Sequence, residues 1–231
     1  MKQILQDLKS GDTYLDDVPS PQVKKGHVLI KSLYSLVSIG TERMLIDFGK
    51  AGIIEKARLQ PEKVQIVLEK IKKEGLMPTL ENVFTKLGKP LPLGYSNVGR
   101  IIGIGEDVNR LQVGDRVVSN GPHAEYVNVP VNLTAKVPDI VSSREASFTV
   151  LGSISLQGIR LLRPSFGETI LVFGLGLIGL LSIKILKANG ALVIGVDIDE
   201  EKCKHARGYG INAINSDSND NLSSIIHDLT N

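Results

Sequence analysis

The stretch TILVFGLGLIGLLSIKIL, residues 169–186, constrains the fold of this chain more than any other. Five mostly apolar residues lead into three glycines spaced G-x-G-x-x-G, and a second apolar run follows. The spacing alone is weak evidence, but here it separates a predicted strand from a predicted helix. The next predicted strand, 191–197, ends in Asp197, 18 positions after Gly179. This order predicts a β-α-β unit with a right-handed crossover and parallel strands.

The glycine loop is predicted to hold a dinucleotide. Gly174 would permit the tight turn, Gly176 would let a pyrophosphate approach the backbone, and Gly179 would let helix and strand pack closely. The helix N-terminus offers N–H groups and a partial positive charge to phosphates. The predicted cofactor-binding residues are Gly174, Leu175, Gly176, Leu177, Ile178, Gly179 and Asp197. The alternative is a Rossmann-type unit that binds another ligand, or none.

Asp197 also predicts which dinucleotide binds. Its carboxylate would accept hydrogen bonds from both hydroxyls of the adenosine ribose, whereas a 2′-phosphate would meet its negative charge. Asp199 adds a second negative charge nearby, and no arginine is adjacent in the sequence. The sequence therefore predicts NAD(H) in preference to NADP(H).

Composition restricts the class of protein. The 231 residues are 42% hydrophobic, which suffices for one large domain or two modest ones, and the net charge is +2. That balance gives no reason to expect a nucleic acid or a membrane surface as partner. No window reaches the ~18 consecutive apolar residues of a membrane span. A lone cysteine, Cys203, excludes an internal disulfide and a multi-cysteine zinc site, and fits a reducing cytoplasm, the predicted location.

The rest of the chain divides into a β-rich part and a mixed part. Four strands are predicted in a compact barrel or sandwich, at 27–38, 98–105, 114–118 and 124–130. Apolar residues at helical spacing predict two helices between the first two strands, 61–75 and 79–87. After the glycine loop, a third strand is predicted around 211–215, and a polar loop leads to a last short helix.

The order of these features resembles the zinc-type medium-chain alcohol dehydrogenase superfamily. VGDRVV and AEYV in the N-terminal half precede FGLGLIG and GVD, and the resemblance covers essentially the whole chain except about 45–92. It implies a GroES-like β-barrel catalytic domain, 1–145, with a helical insert at about 45–92. An incomplete Rossmann NAD-binding domain, 146–231, would follow. SLVSIGTERM, PLPLGYSNVG and SNGPHAEY further resemble the dehydrogenase-like halves of bacterial bi-domain oxidoreductases, often linked to polysaccharide synthesis.

The zinc ligands of that superfamily are missing here. The cysteine of its C-G-[ST]-[DE] stretch is Ile39, the histidine of its G-H-E stretch is Tyr95, and Thr149 lies near the place of the third ligand. Isoleucine cannot ligate, and tyrosine or threonine beside it would hold Zn²⁺ poorly. The sequence therefore predicts no metal, so another group must stabilise the charge that develops on an alkoxide.

Three residues are candidates for catalysis: Thr41, Tyr95 and His123. Thr41 occupies the position of the superfamily's proton-relay hydroxyl, Tyr95 could donate a hydrogen bond to a carbonyl oxygen, and His123 could act as general acid or base. Each has a structural alternative: a buried hydroxyl satisfied by backbone, an aromatic ring filling the vacated metal site, and a half-buried surface histidine. Glu42 and Arg43 could hold the loop by an ion pair instead of touching substrate.

The resemblance implies hydride transfer between NAD(H) and a small alcohol or carbonyl substrate, sugar-derived if the subgroup is right. The rival hypothesis is a binding or assembly module that holds a nucleotide without turnover. Only 52 of the 231 residues follow Gly179, fewer than a six-stranded Rossmann sheet needs. We therefore expect a truncated domain whose open sheet edge is covered by a downstream domain or by a second copy of the chain.

Overall fold

The computed structural model describes residues 1–8, 10–52, 88–218 and 221–230, together with short runs between 55 and 69. The chain forms two compact units, Met1–Ser147 and Phe148–Asn231. The described positions between 55 and 69 are helical, whereas most of the two helices predicted at 61–75 and 79–87 lies outside the described residues.

The first unit contains two antiparallel sheets. The strands of this unit are β1 (Lys2–Gln6), β2 (Thr13–Asp17), β3 (His27–Ser35), β4 (Leu91–Pro92), β5 (Asn97–Ile104), β6 (Arg116–Ser119), β7 (Tyr126–Pro130) and β8 (Thr134–Lys136). The smaller sheet has the order β2-β1-β4, and the larger sheet has the order β7-β3-β5-β6-β8. The four strands predicted in this half are therefore present, and the described residues of this unit also form β1, β2, β4 and β8.

Buried apolar and exposed side chains alternate along the strands, and the buried ones form the core of this unit. Val28 and Ile30 of β3 stand opposite Val129 and Val127 of β7, and all four side chains are buried. Lys31, the next residue of β3, is exposed, as the period of two along a half-buried strand requires. The antiparallel register thus puts β-branched side chains of neighbouring strands against each other.

Helix α1 (Ile39–Lys50) follows β3 directly. The prediction extended the strand to residue 38 and began the helical insert near 45, so both boundaries were wrong at this junction. Ser38 lies at the N-cap with φ −93° and ψ 87°, and its carbonyl accepts the N–H of Glu42 at 2.9 Å. The Ser38 side chain makes no capping bond, but Glu42 in the first turn accepts the N–H of Ser38 and places a negative charge at the helix N-terminus, which favours a helix start here.

The second unit is a parallel α/β arrangement. Its three strands run parallel in the order β11-β10-β9, and helices separate them along the chain. The strands are β9 (Thr169–Phe173), β10 (Leu192–Asp197) and β11 (Asn212–Asn215), and the helices α3 (Thr149–Leu162), α4 (Leu177–Ala188), α5 (Glu200–Gly208) and α6 (Leu222–Thr230). A short helix α2 (Ser143–Ala146) ends the first unit. The predicted α/β fold with a β-rich N-terminal part is confirmed.

The lone cysteine belongs to the core of the second unit. Cys203 is fully buried and packs with Leu175 and Ile183. Burial raises the pKa of its thiol, which keeps the sulfur protonated and unreactive. His205, two positions on, lies edge-on to the ring of Tyr209 at 5.0 Å, away from that core. Among the described helices, none combines the length and the apolar character of a membrane span.

Candidate functional site

The glycine loop connects β9 to α4 by a tight turn. Gly174 has φ +89°, in the left-handed region that favours glycine, and its N–H donates to the carbonyl oxygen of Val196 at 2.7 Å. That bond ties the turn to the end of β10, the strand that carries Asp197. The loop and the acid of the predicted motif therefore lie together at the carboxyl ends of neighbouring parallel strands.

Gly179 is tightly packed, whereas Gly176 lies beside open space. A Cβ on Gly179 would lie only 1.8 Å from the carbonyl oxygen of Gly174, so only glycine lets α4 approach the turn this closely. A Cβ on Gly176 would meet no atom within 4 Å. Gly176 is the N-cap of α4, whose first N–H groups have no partner within the helix. The open space beside Gly176 is thus where an anion could approach backbone donors.

The three apolar residues of the loop are placed differently. Leu175 is 2% exposed and packs in the core, Leu177 is the first residue of α4, and Ile178 is 37% exposed. Leu175 therefore contributes its backbone N–H and its packing, while the start of α4 presents the partly open surface.

Asp197 fixes the loop through its carboxylate. Oδ2 accepts the N–H of Leu175 at 2.7 Å, and Oδ1 accepts the N–H of Asp199 at 2.9 Å. Lys202 Nζ lies 3.7 Å from Oδ1. An ionised carboxylate has about four acceptor positions, so two remain beyond these backbone N–H groups, with Lys202 beside Oδ1. Burial alone would raise the pKa of this carboxyl, but the two backbone N–H donors and the Lys202 ammonium outweigh it and lower the pKa.

This lowered pKa predicts a pH-dependent contribution of Asp197 to stability. A carboxyl with a depressed pKa stabilises the fold fully above its unfolded value, about 4, and loses that contribution as pH falls through the folded value. Asp197→Asn keeps one acceptor oxygen, and we expect it to cost about 1–3 kcal/mol at pH 7. Thermal unfolding of both proteins between pH 3 and pH 7 measures the difference, which should shrink below about pH 4. A constant difference across that range would contradict the assignment.

The first unit gathers three hydroxyl groups near the start of α1. The Tyr95 hydroxyl lies 2.7 Å from Oγ of Ser38 and 3.3 Å from Oγ1 of Thr41. Ser38 is buried at 5% exposure, Tyr95 is half-buried and Thr41 is exposed. Thr41 is therefore not the buried hydroxyl of the structural alternative. We call these three residues the hydroxyl cluster.

A buried acid–histidine pair lies behind the hydroxyl cluster. Nε2 of His123 is 3.0 Å from Oε2 of Glu42, and the two residues are 6% and 5% exposed. Oε1 of Glu42 accepts the N–H of Ser38 at 2.8 Å. The imidazole also packs on Gly94, which has φ +90° and where a Cβ would lie 2.6 Å from the ring. Nδ1 is buried without a hydrogen-bond partner in the described part of the chain.

This pair overturns the surface alternative for His123 and gives Glu42 and Arg43 separate partners. His123 is buried rather than half-buried at the surface. Glu42 pairs with His123, while its neighbour Arg43 pairs with Asp47 on the exposed side of α1, with Nε 3.6 Å from Oδ2. The two partners are 81 positions apart and carry no local motif, so no pattern in the sequence could have joined them.

The residues at the superfamily's zinc positions do not fit zinc. Ile39 offers no donor and is 72% exposed at the first position of α1. The Tyr95 hydroxyl is hydrogen-bonded within the hydroxyl cluster. Among the described residues, no group of three His, Cys, Asp or Glu side chains converges on one point.

Comparisons with known proteins agree with both units. The profile of the alcohol dehydrogenase GroES-like domain matches residues 65–139. Two curated relatives are the (R,R)-butanediol dehydrogenase of Bacillus subtilis, 27% identical over 77% of this chain, and the D-guloside 3-dehydrogenase of Escherichia coli, 37% identical over 51%. The solved B. subtilis 2R,3R-butanediol dehydrogenase superposes on 99% of this chain with a TM-score of 0.73 at 21% identity.

The chain is similar to the medium-chain alcohol dehydrogenases in its matched GroES-like domain, its curated relatives and its fold. The fold is therefore a GroES-like domain followed by the first strands of a Rossmann domain, as predicted. The chain spans 63% of the curated butanediol dehydrogenase and 35% of the guloside dehydrogenase. It also superposes on a mycobacterial protein complexed with NADPH, with a TM-score of 0.64 at 25% identity, over 93% of this chain and 58% of the other.

Proposed function

We propose that this chain belongs to a zinc-independent oxidoreductase that transfers a hydride between NAD(H) and an alcohol or carbonyl substrate. The glycine loop carries the proposal. The loop has a left-handed turn at Gly174, a close helix contact at Gly179 and open space at Gly176 beside helix N–H groups. These are the three features that a bound pyrophosphate requires of such a loop.

The preference for NAD(H) rests on charge at the end of β10. Asp197 and Asp199 both carry carboxylates there, and Lys202 is the cation nearest to them that the described residues provide. A 2′-phosphate would have to share this place with two negative charges, whereas ribose hydroxyls would find acceptors. The NADPH held by the mycobacterial relative makes NADP(H) the alternative to test.

The proposed chemistry needs no metal, because the hydroxyl cluster can stabilise a developing alkoxide. When bound, the reduced nicotinamide would supply the hydride to the carbonyl carbon. Thr41 would donate a hydrogen bond to the carbonyl oxygen, and the Tyr95 hydroxyl would turn from Ser38 Oγ to donate a second. The phenol would then give its proton to the alkoxide and take one back from solvent water. Thr41 is exposed and Tyr95 half-buried, so a small molecule can reach both hydroxyls.

A sugar-derived substrate is proposed on two grounds. The subgroup resemblance points to polysaccharide synthesis, and one relative is a dehydrogenase of D-guloside. We also propose a cytoplasmic location, and a downstream domain or a second chain that covers the sheet edge at β9. Phe173, the last residue of β9, is 68% exposed.

The rival function is a nucleotide-binding or assembly module without turnover. Both hypotheses require the loop to bind a nucleotide, so binding and turnover must be measured separately.

Fluorescence titration with NADH and NADPH tests the proposal. We expect the Kd for NADH to be at least about tenfold lower than that for NADPH, and Asp197→Ala to weaken NADH binding by a further tenfold or so. Asp199→Asn, which keeps an N-cap side chain for α5, is the matched control and should change NADH binding little. No NADH binding to either wild type or Asp197→Ala would exclude the cofactor hypothesis, and equal binding to both would exclude the role assigned to Asp197. Binding without carbonyl-dependent oxidation would favour the module.

A further inference from the structure

Glu42 connects two parts of the first unit that the sequence places far apart. One carboxylate oxygen accepts the backbone N–H of Ser38 at 2.8 Å, and the other contacts Nε2 of His123 at 3.0 Å. A carboxylate accepts hydrogen bonds and an imidazole carries a proton on at least one ring nitrogen, so we assign the donor in this contact to Nε2 of His123. Both side chains are at least nine-tenths buried, so water does not compete for either bond.

The far end of this arrangement is the hydroxyl cluster. The backbone N–H of Ser38 donates to the Glu42 carboxylate, and Oγ of Ser38 accepts the Tyr95 hydroxyl at 2.7 Å. The position of Oγ therefore depends on the N-cap conformation that Glu42 holds. His123 is itself fixed, because its backbone N–H donates to the carbonyl oxygen of Leu93 at 2.7 Å and its ring packs on Gly94.

The hydrogen bonds given for the described residues connect Tyr95 to Glu42 only through the backbone of Ser38. Glu42 meets Ser38 at the backbone N–H and not at Oγ. A proton that leaves the phenol can pass to Ser38 Oγ or Thr41 Oγ1, and neither hydroxyl is hydrogen-bonded to Glu42. Glu42 is thus connected to the cluster by geometry alone.

We infer that Glu42, held by His123, is a positioning residue that orients the Tyr95 hydroxyl toward the substrate oxygen. The inference rests on the proposed reduction, and it replaces direct acid–base catalysis by His123 with an action through Glu42. A positioning role needs the acceptor oxygen for Ser38 and does not need the negative charge. A proton-transfer role would need the charge.

Three variants separate these roles: Glu42→Ala, Glu42→Gln and the adjacent control Arg43→Ala. In carbonyl-dependent NADH oxidation, Glu42→Ala should lower kcat by about 100-fold, the cost of a misplacement near 1 Å. Its KM for NADH should stay within about twofold, because the glycine loop belongs to the other unit. Glu42→Gln keeps an oxygen for Ser38 and should lose no more than roughly fivefold in kcat. Arg43→Ala should match wild type.

Hydrogen exchange at the Ser38 amide gives a second readout that does not depend on turnover. We expect exchange about tenfold faster in Glu42→Ala and near the wild-type rate in Glu42→Gln. A Glu42→Ala variant with wild-type kcat or an equally protected Ser38 amide would overturn the inference. So would a Glu42→Gln variant as inactive as Glu42→Ala. If wild type itself shows no turnover, the proposed function fails, and the exchange rates alone decide whether Glu42 holds Ser38.

Discussion

Replacing Gly179 by alanine is expected to destabilise the second unit by more than about 3 kcal/mol and to abolish NADH binding. The new Cβ would lie 1.8 Å from the carbonyl oxygen of Gly174. That oxygen belongs to the backbone of a turn fixed by the hydrogen bond from Gly174 to Val196, so it cannot rotate away as a side chain would. Relief requires α4 to move off β9, which opens the core around Leu175 and Ile183.

Two other glycines provide matched controls for this prediction. Gly176→Ala places a methyl group in open space at φ −73°, so stability should stay within about 0.5 kcal/mol while NADH binding weakens. Gly158→Ala lies inside α3, also in open space, and should stabilise by up to about 1 kcal/mol. Urea unfolding and NADH titration measure both effects. A Gly179→Ala protein as stable as Gly158→Ala would show that the turn is not packed as described.

Local sequence was enough to predict the second unit. The strand, the glycine turn and α4 are consecutive, and their hydrogen bonds and packing follow from residues within one β-α-β unit. The prediction of β9 and the end of α4 at 188 is confirmed, and so is the third strand near 211–215. The glycine motif does not predict that Asp197 accepts two backbone N–H groups, because those bonds depend on the three-dimensional path of the loop.

The first unit was predicted less well because its site depends on long-range contacts. Tyr95 meets Ser38 across 57 positions, and His123 meets Glu42 across 81. The resemblance to a zinc-binding family predicts catalytic roles for Thr41 and Tyr95 but no partner for Glu42. A charged residue inside a polar stretch such as SIGTERM gives no sign that it is buried, since burial is decided by sheet packing elsewhere in the chain.

Replacing His123 by leucine is expected to cost about 3–5 kcal/mol of stability. Leucine is apolar and of similar volume, so it removes the donor without leaving a large space. The Glu42 carboxylate would remain buried at 5% exposure, with only the Ser38 N–H as a hydrogen-bond donor in the described structure. His205→Leu is the control: His205 is exposed and contacts only the Tyr209 ring among the described interactions, so its loss should stay below about 1 kcal/mol.

The double variant Glu42→Gln/His123→Leu tests whether the lost hydrogen-bond partner of Glu42 causes this destabilisation. Glutamine is neutral and keeps an oxygen for the Ser38 N–H, so adding Glu42→Gln should recover about 1–3 kcal/mol relative to His123→Leu alone. Glu42→Gln in the wild-type background should instead destabilise, because it weakens the bond from Nε2. Glu42→Gln should therefore raise the free energy of unfolding in the His123→Leu background and lower it in the wild-type background. A double-mutant cycle from urea unfolding measures the difference between these two changes. Additive effects would mean that His123 contributes packing against Gly94 and does not hold Glu42.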